Sequence, residues 1–448
     1  MTFLGVTRGA ALSLSSAVSS ALALALALTA CGGGASSETA APTSSSSRSS
    51  SASSTASSTG TRFEPTPRDF AAIRALLARQ ARAVRAHDEQ AFLATVDPRQ
   101  PTLVAQQKVL YGNLAQLDIR HLSYGVDPSA LVPQKVPGGD PVLRPGVVEH
   151  LQITDTLNAP VSNPVDMTFV RRDGHWLVGA VSQPKEADHF DSPQERPWYG
   201  VPILARREGQ LTVVVDRSAA ESLDRLTTAI RGDIAYDAQL LGVPASYRVL
   251  VDATTNGLAY DFSSVSQEEA AAVTFGLTAT DPRGDHVTGL AGTAVKVNPK
   301  LVDEVVNDPG VVRHELTHYL LRAYSGSSPK WLTEGVATWV QYYPDRFDQL
   351  QVPADLYDRL MHAERTLPTI GLFNTDPGVN YPVSQAAVAW LVQQGGVAKL
   401  IALMRAYRDD YQDVNVDALT PRLLRQVYAV TEAQVVRGAF GLLAQLHH

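Results

Sequence analysis

Two histidines and a glutamate form the most chemically specific pattern in this sequence. His314 and His318 are four residues apart, so on a helix their imidazoles lie on the same side, one turn from each other. Glu315 follows His314 directly and lies about 100° further around such a helix. This spacing is typical of helices that bind Zn²⁺ through the two histidines, with the glutamate beside the metal as a general base.

A second acidic residue stands in an unusual place shortly after this motif. Glu334 follows His318 by sixteen residues and lies in an otherwise apolar segment, Trp331-Leu332-Thr333-Glu334-Gly335-Val336-Ala337. An unpaired carboxylate is costly to bury, so Glu334 requires a partner, for which a metal ion is the obvious choice. Gly335 beside it would permit the close approach of another helix.

Both motifs are expected on well-defined helices. Asp308 can cap the first helix and Pro309 suits its first turn, while Ser328 and Pro329 are predicted to start the second helix in the same way. The first helix also carries an apolar stripe, and the side of the helix with this stripe is predicted to be buried: Val312, Leu316, Tyr319, Leu320 and Ala323.

The combined pattern of His314, Glu315, His318 and Glu334 resembles the motif of the gluzincin peptidases, particularly the aminopeptidase-N-like and related MA-like groups. The specific match covers residues 310–345, with looser similarity over 200–410. The resemblance implies that His314, His318 and Glu334 bind Zn²⁺ and that Glu315 is the general base. It also implies a two-lobed zincin fold and a peptide or protein substrate.

The same resemblance suggests a group that stabilises the oxyanion of the reaction. In the aminopeptidase-like group, a tyrosine that opens a later helix donates a hydrogen bond to this oxygen. Tyr381, in Tyr381-Pro382-Val383-Ser384, is the matching candidate; otherwise it is an aromatic residue that packs at a helix start. Tyr319 and Tyr324 are weaker contenders, because Tyr319 lies on the apolar stripe.

The sequence also departs from the family pattern. The segment from Gly289 to Asn298 lacks the glutamate that would bind a free substrate amine, so an endopeptidase is expected rather than an aminopeptidase. This segment still suits an edge strand that pairs with an extended peptide. Thr338 stands where thermolysin-like members have an aspartate that orients a zinc histidine, so no residue is assigned to that role. His286 and His362 are expected to be incidental.

The N-terminal region has the composition of a lipoprotein leader. Arg8 precedes an apolar run from about residue 10 to 28, and Leu28-Thr29-Ala30-Cys31 resembles a bacterial lipobox. Cys31 is the only cysteine, so a disulfide within the chain is excluded. The resemblance implies a lipid on Cys31 that attaches the protein to the cell membrane, facing the extracytoplasmic side. The alternative is a plain transmembrane anchor with an incidental cysteine.

The chain is expected to contain two folded domains with a tether before them. Residues 1–31 form the predicted signal peptide and 32–62 a disordered Ser/Gly/Ala-rich tether. Residues 63–190 are predicted as an α+β domain, with helices before strands, that weakly resembles the nuclear-transport-factor-like (SnoaL-like) cone fold. Residues 191–448 are predicted as the gluzincin-like domain, with an α/β half before a helical half. The fold class is therefore α+β.

Composition narrows the partners, and two alternative functions stay open. The net charge is −7 and there is no cluster of Lys or Arg, so nucleic acid is not expected as a partner. One alternative is a non-catalytic surface lipoprotein, a binding or scaffold module with a vestigial peptidase fold. Another is small-ligand binding by residues 66–184, although the histidines there have no ligand spacing: His87, His121, His150 and His175.

Overall fold

The computed structural model describes residues 63–132, 140–182, 196–256, 271–282, 286–373, 375–411 and 415–447. The expected lipidation site Cys31 and the expected tether at 32–62 lie outside these ranges. Within them the protein is a mixed α+β structure with two separate sheets, which confirms the predicted fold class. The first unit (63–182) and the second unit (196–447) are named here by their described residues.

The first unit places three helices before an antiparallel sheet, in the order that the sequence predicts. Its helices are α1 (Pro67–Arg85), α2 (Glu89–Leu93) and α3 (Pro101–Leu114). Its strands are β1 (Ile119–Val132), β2 (Val142–Ile153), β3 (Val161–Pro164), β4 (Asp166–Arg172) and β5 (His175–Ser182). Strand order is β1-β2-β4-β5, and β3 pairs with β2. Strands β4 and β5 form a hairpin whose turn lies at Asp173-Gly174, with positive φ at both residues.

The second unit begins with a five-stranded sheet. Its strands are β6 (Ile203–Glu208), β7 (Leu211–Asp216), β8 (Val249–Ala253), β9 (Ala272–Thr280) and β10 (Val287–Val297), and helix α4 (Leu223–Leu241) lies between β7 and β8. Strand order is β6-β7-β8-β10-β9, with β7, β8 and β10 parallel. The prediction that residues 289–298 form an edge strand is wrong, because β10 lies between β8 and β9. The edge strand on this side of the sheet is β9, which pairs antiparallel with β10 alone among the described strands, and β6 is the other edge strand.

Helices follow the sheet to the end of the described chain. They are α5 (Val302–Asn307), α6 (Pro309–Leu320), α7 (Arg322–Ser325), α8 (Lys330–Tyr342), α9 (Ala354–His362), α10 (Ile370–Phe373), α11 (Pro377–Asp410), α12 (Val416–Tyr428) and α13 (Glu432–Leu443). Helix α11 is interrupted at Gly396, where φ is 72°. In the described part of the chain, α11 is long and apolar enough to cross a membrane, but it packs against α8, α12 and α13 as a core helix.

Two hydrophobic cores hold these layers together. The first lies between α4, one face of the second sheet and the C-terminal helices. The second fills the first unit and continues onto the other face of the second sheet, where it includes Leu250, Leu277 and Ala294. Trp198 and Tyr199, at the start of the second unit, are buried in this second core. The two units are therefore packed as one body; the predicted boundary at residue 190 falls outside the described residues.

Candidate metal centre

Helix α6 is defined by the residues that the sequence indicates. The Asp308 side chain accepts a hydrogen bond from the Gly310 amide (3.0 Å), and Pro309 occupies the first turn, as predicted. Val312, Leu316 and Tyr319 are fully buried in the first core. Because these residues fix the rotation of α6, His314 and His318 are held on its other side, and both are buried.

Helix α8 begins differently from the prediction. Pro329 is its N-cap, and no side chain caps the helix; the Ser328 hydroxyl is buried without a hydrogen bond to any described group. The prediction that Ser328 caps the helix is therefore wrong, since the first turn begins one residue later, at Lys330. The prediction of close helix approach at Gly335 is confirmed. A Cβ atom there would lie 2.5 Å from the carbonyl oxygen of Ser384 on α11.

The three predicted ligands meet at one point between α6 and α8. His314 Nε2 and His318 Nε2 are 3.2 Å apart. Oε2 of Glu334 lies 3.4 Å from His314 Nε2 and 3.2 Å from His318 Nε2. Donors bound tetrahedrally at zinc distances are separated by about 3.3 Å, so the spacing of these three atoms is compatible with a bound metal ion. All three residues are buried, and they form the one group of three potential ligands among the described residues.

The second oxygen of Glu334 has a different partner. Lys330 Nζ lies 2.8 Å from Oε1, one helical turn away on α8. Burial by itself would raise the pKa of Glu334, but the neighbouring His318, His314 and Lys330 lower it well below its usual range. Glu334 is therefore an ionised carboxylate with one oxygen directed to the histidines and the other held by the lysine.

Glu315 occupies a more isolated environment. It is fully buried, and neither carboxyl oxygen makes a hydrogen bond of ordinary geometry with a described group. Burial raises its pKa to about 7, with partial opposition from His314. Its backbone carbonyl accepts a hydrogen bond from the hydroxyl of Thr274 on β9 (2.9 Å), which connects α6 to this strand.

Tyr381 lies beside His314, one of the predicted ligands, although it does not open its helix. Helix α11 begins at Pro377, so Tyr381 is in the second turn rather than at the start. Its ring centroid is 6.1 Å from that of His314 and 4.9 Å from that of Phe373, which it meets edge-on. By contrast, Tyr319 is a core residue whose hydroxyl pairs with Ser246 (2.7 Å).

The other residues considered from the sequence stand apart from this cluster. His286 and His362 are exposed, and His362 is bonded to its own helix through the Asp358 carbonyl. The Thr338 hydroxyl donates to the backbone carbonyl of Glu334 (2.8 Å), so it supports the helix and not a histidine. His314 Nδ1 is buried and makes no hydrogen bond within the described ranges.

Sequence reasoning missed the residues that surround the cluster. Lys330 could have been found, because a lysine four residues before a buried glutamate is placed to pair with it on a helix. Thr274 offered no comparable signal. A separate buried cluster was also missed. It joins Asp233 and Asp237 on α4 to Arg313 on α6, where Arg313 Nε lies 2.7 Å from Asp237 Oδ1.

Comparison with known proteins leaves the chain without a match: no family model, no curated protein and no solved structure matches it.

Proposed function

We propose that this protein is a zinc peptidase whose metal is held by His314, His318 and Glu334. The observation that carries the proposal is the triangle of three buried donor atoms, 3.2–3.4 Å apart, with a buried carboxyl group next to it. Two imidazoles and one carboxylate are a typical set for catalytic zinc, which retains an open position. When bound, zinc would polarise the scissile carbonyl and increase the acidity of water.

Glu315 is the group that moves protons in this scheme. It neighbours the ligands without belonging to the triangle, and burial raises its pKa to about 7. A carboxyl group with this pKa can accept a proton from the attacking water and deliver it to the leaving amine at neutral pH. Glu315 is therefore assigned as general base and then general acid.

Tyr381 supplies the expected oxyanion donor. Its ring adjoins His314, and its place on α11 is independent of the two helices that carry the ligands. A phenol O–H directed at the substrate carbonyl would stabilise the negative charge that develops on that oxygen. The packing of Phe373 against the Tyr381 ring restricts its orientation.

The substrate is proposed to be an extended peptide within a longer chain. Strand β9 forms the edge of the second sheet, and Thr274 connects it directly to Glu315. An edge strand can bind an extended chain through main-chain hydrogen bonds. The α/β half with this edge and the helical half after α6 support a two-lobed zincin arrangement. The sequence at Cys31 further supports attachment to the extracytoplasmic face of the cell membrane.

The test is hydrolysis of a broad peptide library by the full-length chain. We expect cleavage that a zinc chelator abolishes and that added Zn²⁺ restores. Protein that contains one equivalent of zinc but cleaves no peptide would contradict the proposal and favour the non-catalytic alternative.

A further inference from the structure

The ring of Phe373 contacts two side chains of the proposed site. Phe373 ends the short helix α10 and is 1% exposed. Its ring meets that of Tyr381 edge-on, with the centroids 4.9 Å apart and an angle of 77° between the ring planes. Lys330 Nζ lies over the same ring, 5.8 Å from its centroid. One buried ring therefore contacts residues of two different helices, α8 and α11.

The contact with Lys330 bears on the proposed metal ligand Glu334. Lys330 Nζ is 2.8 Å from Glu334 Oε1, so the same ammonium group is near both the carboxylate and the ring. The face of an aromatic ring attracts a cation, and the attraction is stronger where water is excluded. The Lys330 side chain is 14% exposed, so its ammonium group has solvent as an alternative to Glu334. Phe373 therefore favours the orientation in which the lysine holds Glu334.

The contact with Tyr381 bears on the proposed oxyanion donor. A tyrosine side chain turns about its Cα–Cβ bond, and each rotamer carries the hydroxyl to a different place. The ring of Phe373 adjoins the Tyr381 ring, and so does the ring of His314, whose centroid is 6.1 Å away. Edge-on aromatic pairs are stabilised beyond the area that they bury. The Phe373 contact therefore stabilises the rotamer that places the Tyr381 ring beside His314.

Asn380 on α11 holds the backbone that carries Phe373. The Asn380 side-chain amide donates hydrogen bonds to the carbonyl oxygens of Leu372 and Phe373, both at 2.9 Å. Asn380 directly precedes Tyr381, so these bonds fix α10 next to the residue that Phe373 contacts. Leu372 and Asn380 also line a cavity of about 340 Å³, so close packing does not hold α10 on that side. The hydrogen bonds of Asn380 supply the restraint there.

We propose that Phe373 is a positioning residue for the proposed reaction and that Asn380 holds it in place. Its ring keeps Lys330 on Glu334 and keeps the Tyr381 ring beside the metal centre. The metal ligand and the oxyanion donor, which lie on different helices, therefore share one positioning group. This inference rests on the proposed peptidase function, but its effect on metal binding is measured without hydrolysis.

The first test is a double-mutant cycle on zinc affinity in the full-length protein, measured by competition with a chromophoric chelator. Phe373→Leu retains a large apolar side chain and should weaken zinc binding by about twofold to tenfold, because the contact between the ring and the ammonium group is lost. In a Lys330→Met background, the same substitution should have no further effect, since the ammonium group is already absent. An equal loss in both backgrounds would show a merely structural role and overturn the inference.

The second test measures kcat and KM at saturating zinc with one identified peptide. Phe373→Leu should lower kcat by about twofold to tenfold and leave KM unchanged, because the Tyr381 hydroxyl is less often in its active orientation. Tyr381→Phe retains the ring contact but lacks the hydroxyl, so in that background Phe373→Leu should leave kcat unchanged. An equal loss of kcat in both backgrounds would overturn the positioning of Tyr381.

Two further variants separate positioning from a loss of folding. Asn380→Ala removes the hydrogen bonds to α10 without altering the ring and should reproduce both losses, so it carries the same cycles if Phe373→Leu does not fold. Ile370→Ala truncates a residue of the same helix that is 61% exposed, and it should retain wild-type zinc affinity and kcat. Wild-type values in Asn380→Ala, or losses in Ile370→Ala as large as those in Phe373→Leu, overturn the inference.

The two tests also distinguish this inference from the proposed function. If the wild-type protein binds zinc but cleaves no peptide, the proposed function fails, and the zinc cycle alone decides whether Phe373 positions the metal centre. If the protein cleaves peptides and both cycles are additive, the proposed function stands and the role of Phe373 is rejected.

Discussion

Helix α6 takes part in two buried charged clusters with opposite electrostatic balance. In the metal cluster (His314, His318, Glu334 and Lys330), three nitrogen-bearing side chains surround one carboxylate. In the acid pair (Asp233 and Asp237 with Arg313), two carboxylates share one guanidinium group. Both clusters lie against the same helix, at neighbouring positions of its sequence.

The protonation of the two clusters follows this balance. The surrounding histidines and lysine outweigh burial and lower the pKa of Glu334 well below its usual range. In the acid pair, burial raises the pKa of both Asp233 and Asp237 to about 7, although Arg313 opposes the shift. Burial alone therefore does not decide whether a carboxylate is charged; the hydrogen-bonding and charged groups around it also contribute. Only the metal cluster presents an ionised carboxylate beside two imidazoles.

The largest effect is expected from removing a ligand of the metal cluster. His318→Ala should lose bound zinc and reduce hydrolysis by more than about 10³-fold, because a catalytic site requires three protein ligands. Elemental analysis of the purified protein measures the zinc. His362→Ala, which alters an exposed histidine outside both clusters, is the control and should retain zinc. One equivalent of zinc in His318→Ala would reject the ligand assignment.

A smaller effect is expected from removing the proposed oxyanion donor, the Tyr381 hydroxyl. Tyr381→Phe should lower kcat by about 10²–10³-fold while zinc content stays unchanged, because it removes an oxyanion donor but no ligand. Tyr324→Phe is a matched control, since Tyr324 packs against Arg408, and it should keep full activity. Equal rates for the two variants would remove Tyr381 from the mechanism.

Substitutions of Lys330 test whether the partner of Glu334 Oε1 matters for metal binding. Lys330→Met should weaken zinc affinity by about 10–100-fold, because Glu334 Oε1 loses the partner that orients its carboxylate. Lys330→Arg should restore most of the affinity. Competition with a chromophoric chelator measures both variants. An unchanged affinity in Lys330→Met would show that the histidines alone position Glu334.

The smallest effect is expected in the acid pair. The folded-state pKa of Asp233, about 7, exceeds its ordinary value of 3.8, so its contribution to stability is present below pH 3.8 and lost as pH rises through 7. Asp233→Asn removes this loss and should stabilise the protein at pH 7.5 by on the order of 1 kcal/mol. Urea unfolding at pH 7.5 and pH 4 measures the free energy of unfolding of the variant and of wild type. A variant less stable than wild type at pH 7.5 would contradict the claim that the ionised Asp233 carboxylate destabilises the folded protein.

The sequence predicts three of the four members of the metal cluster, His314, His318 and Glu334, because they are close along the chain. His314 and His318 lie on α6 and Glu334 lies on α8, and only the short helix α7 separates these two helices. The acid pair could not be predicted, because Asp237 and Arg313 are 76 residues apart and meet only through the packing of α4 on α6. The resemblance implies that Tyr381 opens its helix, but α11 begins earlier, with Pro377 in its first turn.

The sheet was harder to predict for a different reason. Strand β9 alternates apolar residues with threonines and a glycine, but this pattern does not reveal which strands lie beside it in the sheet. The expectation of an edge strand at residues 289–298 rests on the comparison with the family pattern, which carries no information about strand pairing. The hydrogen bond between Ser162 and Thr280 joins residues 118 positions apart and depends on how the two units pack.

The most direct measurement of the central claim compares wild type with Glu315→Gln in the same assay. Both proteins are loaded with zinc, their metal content is measured, and hydrolysis of one identified peptide is followed. Glu315 accepts the proton but is not a ligand, so we predict equal zinc content and a loss of activity of about 10²–10⁴-fold in the variant. Full activity in a zinc-loaded Glu315→Gln protein would contradict the account.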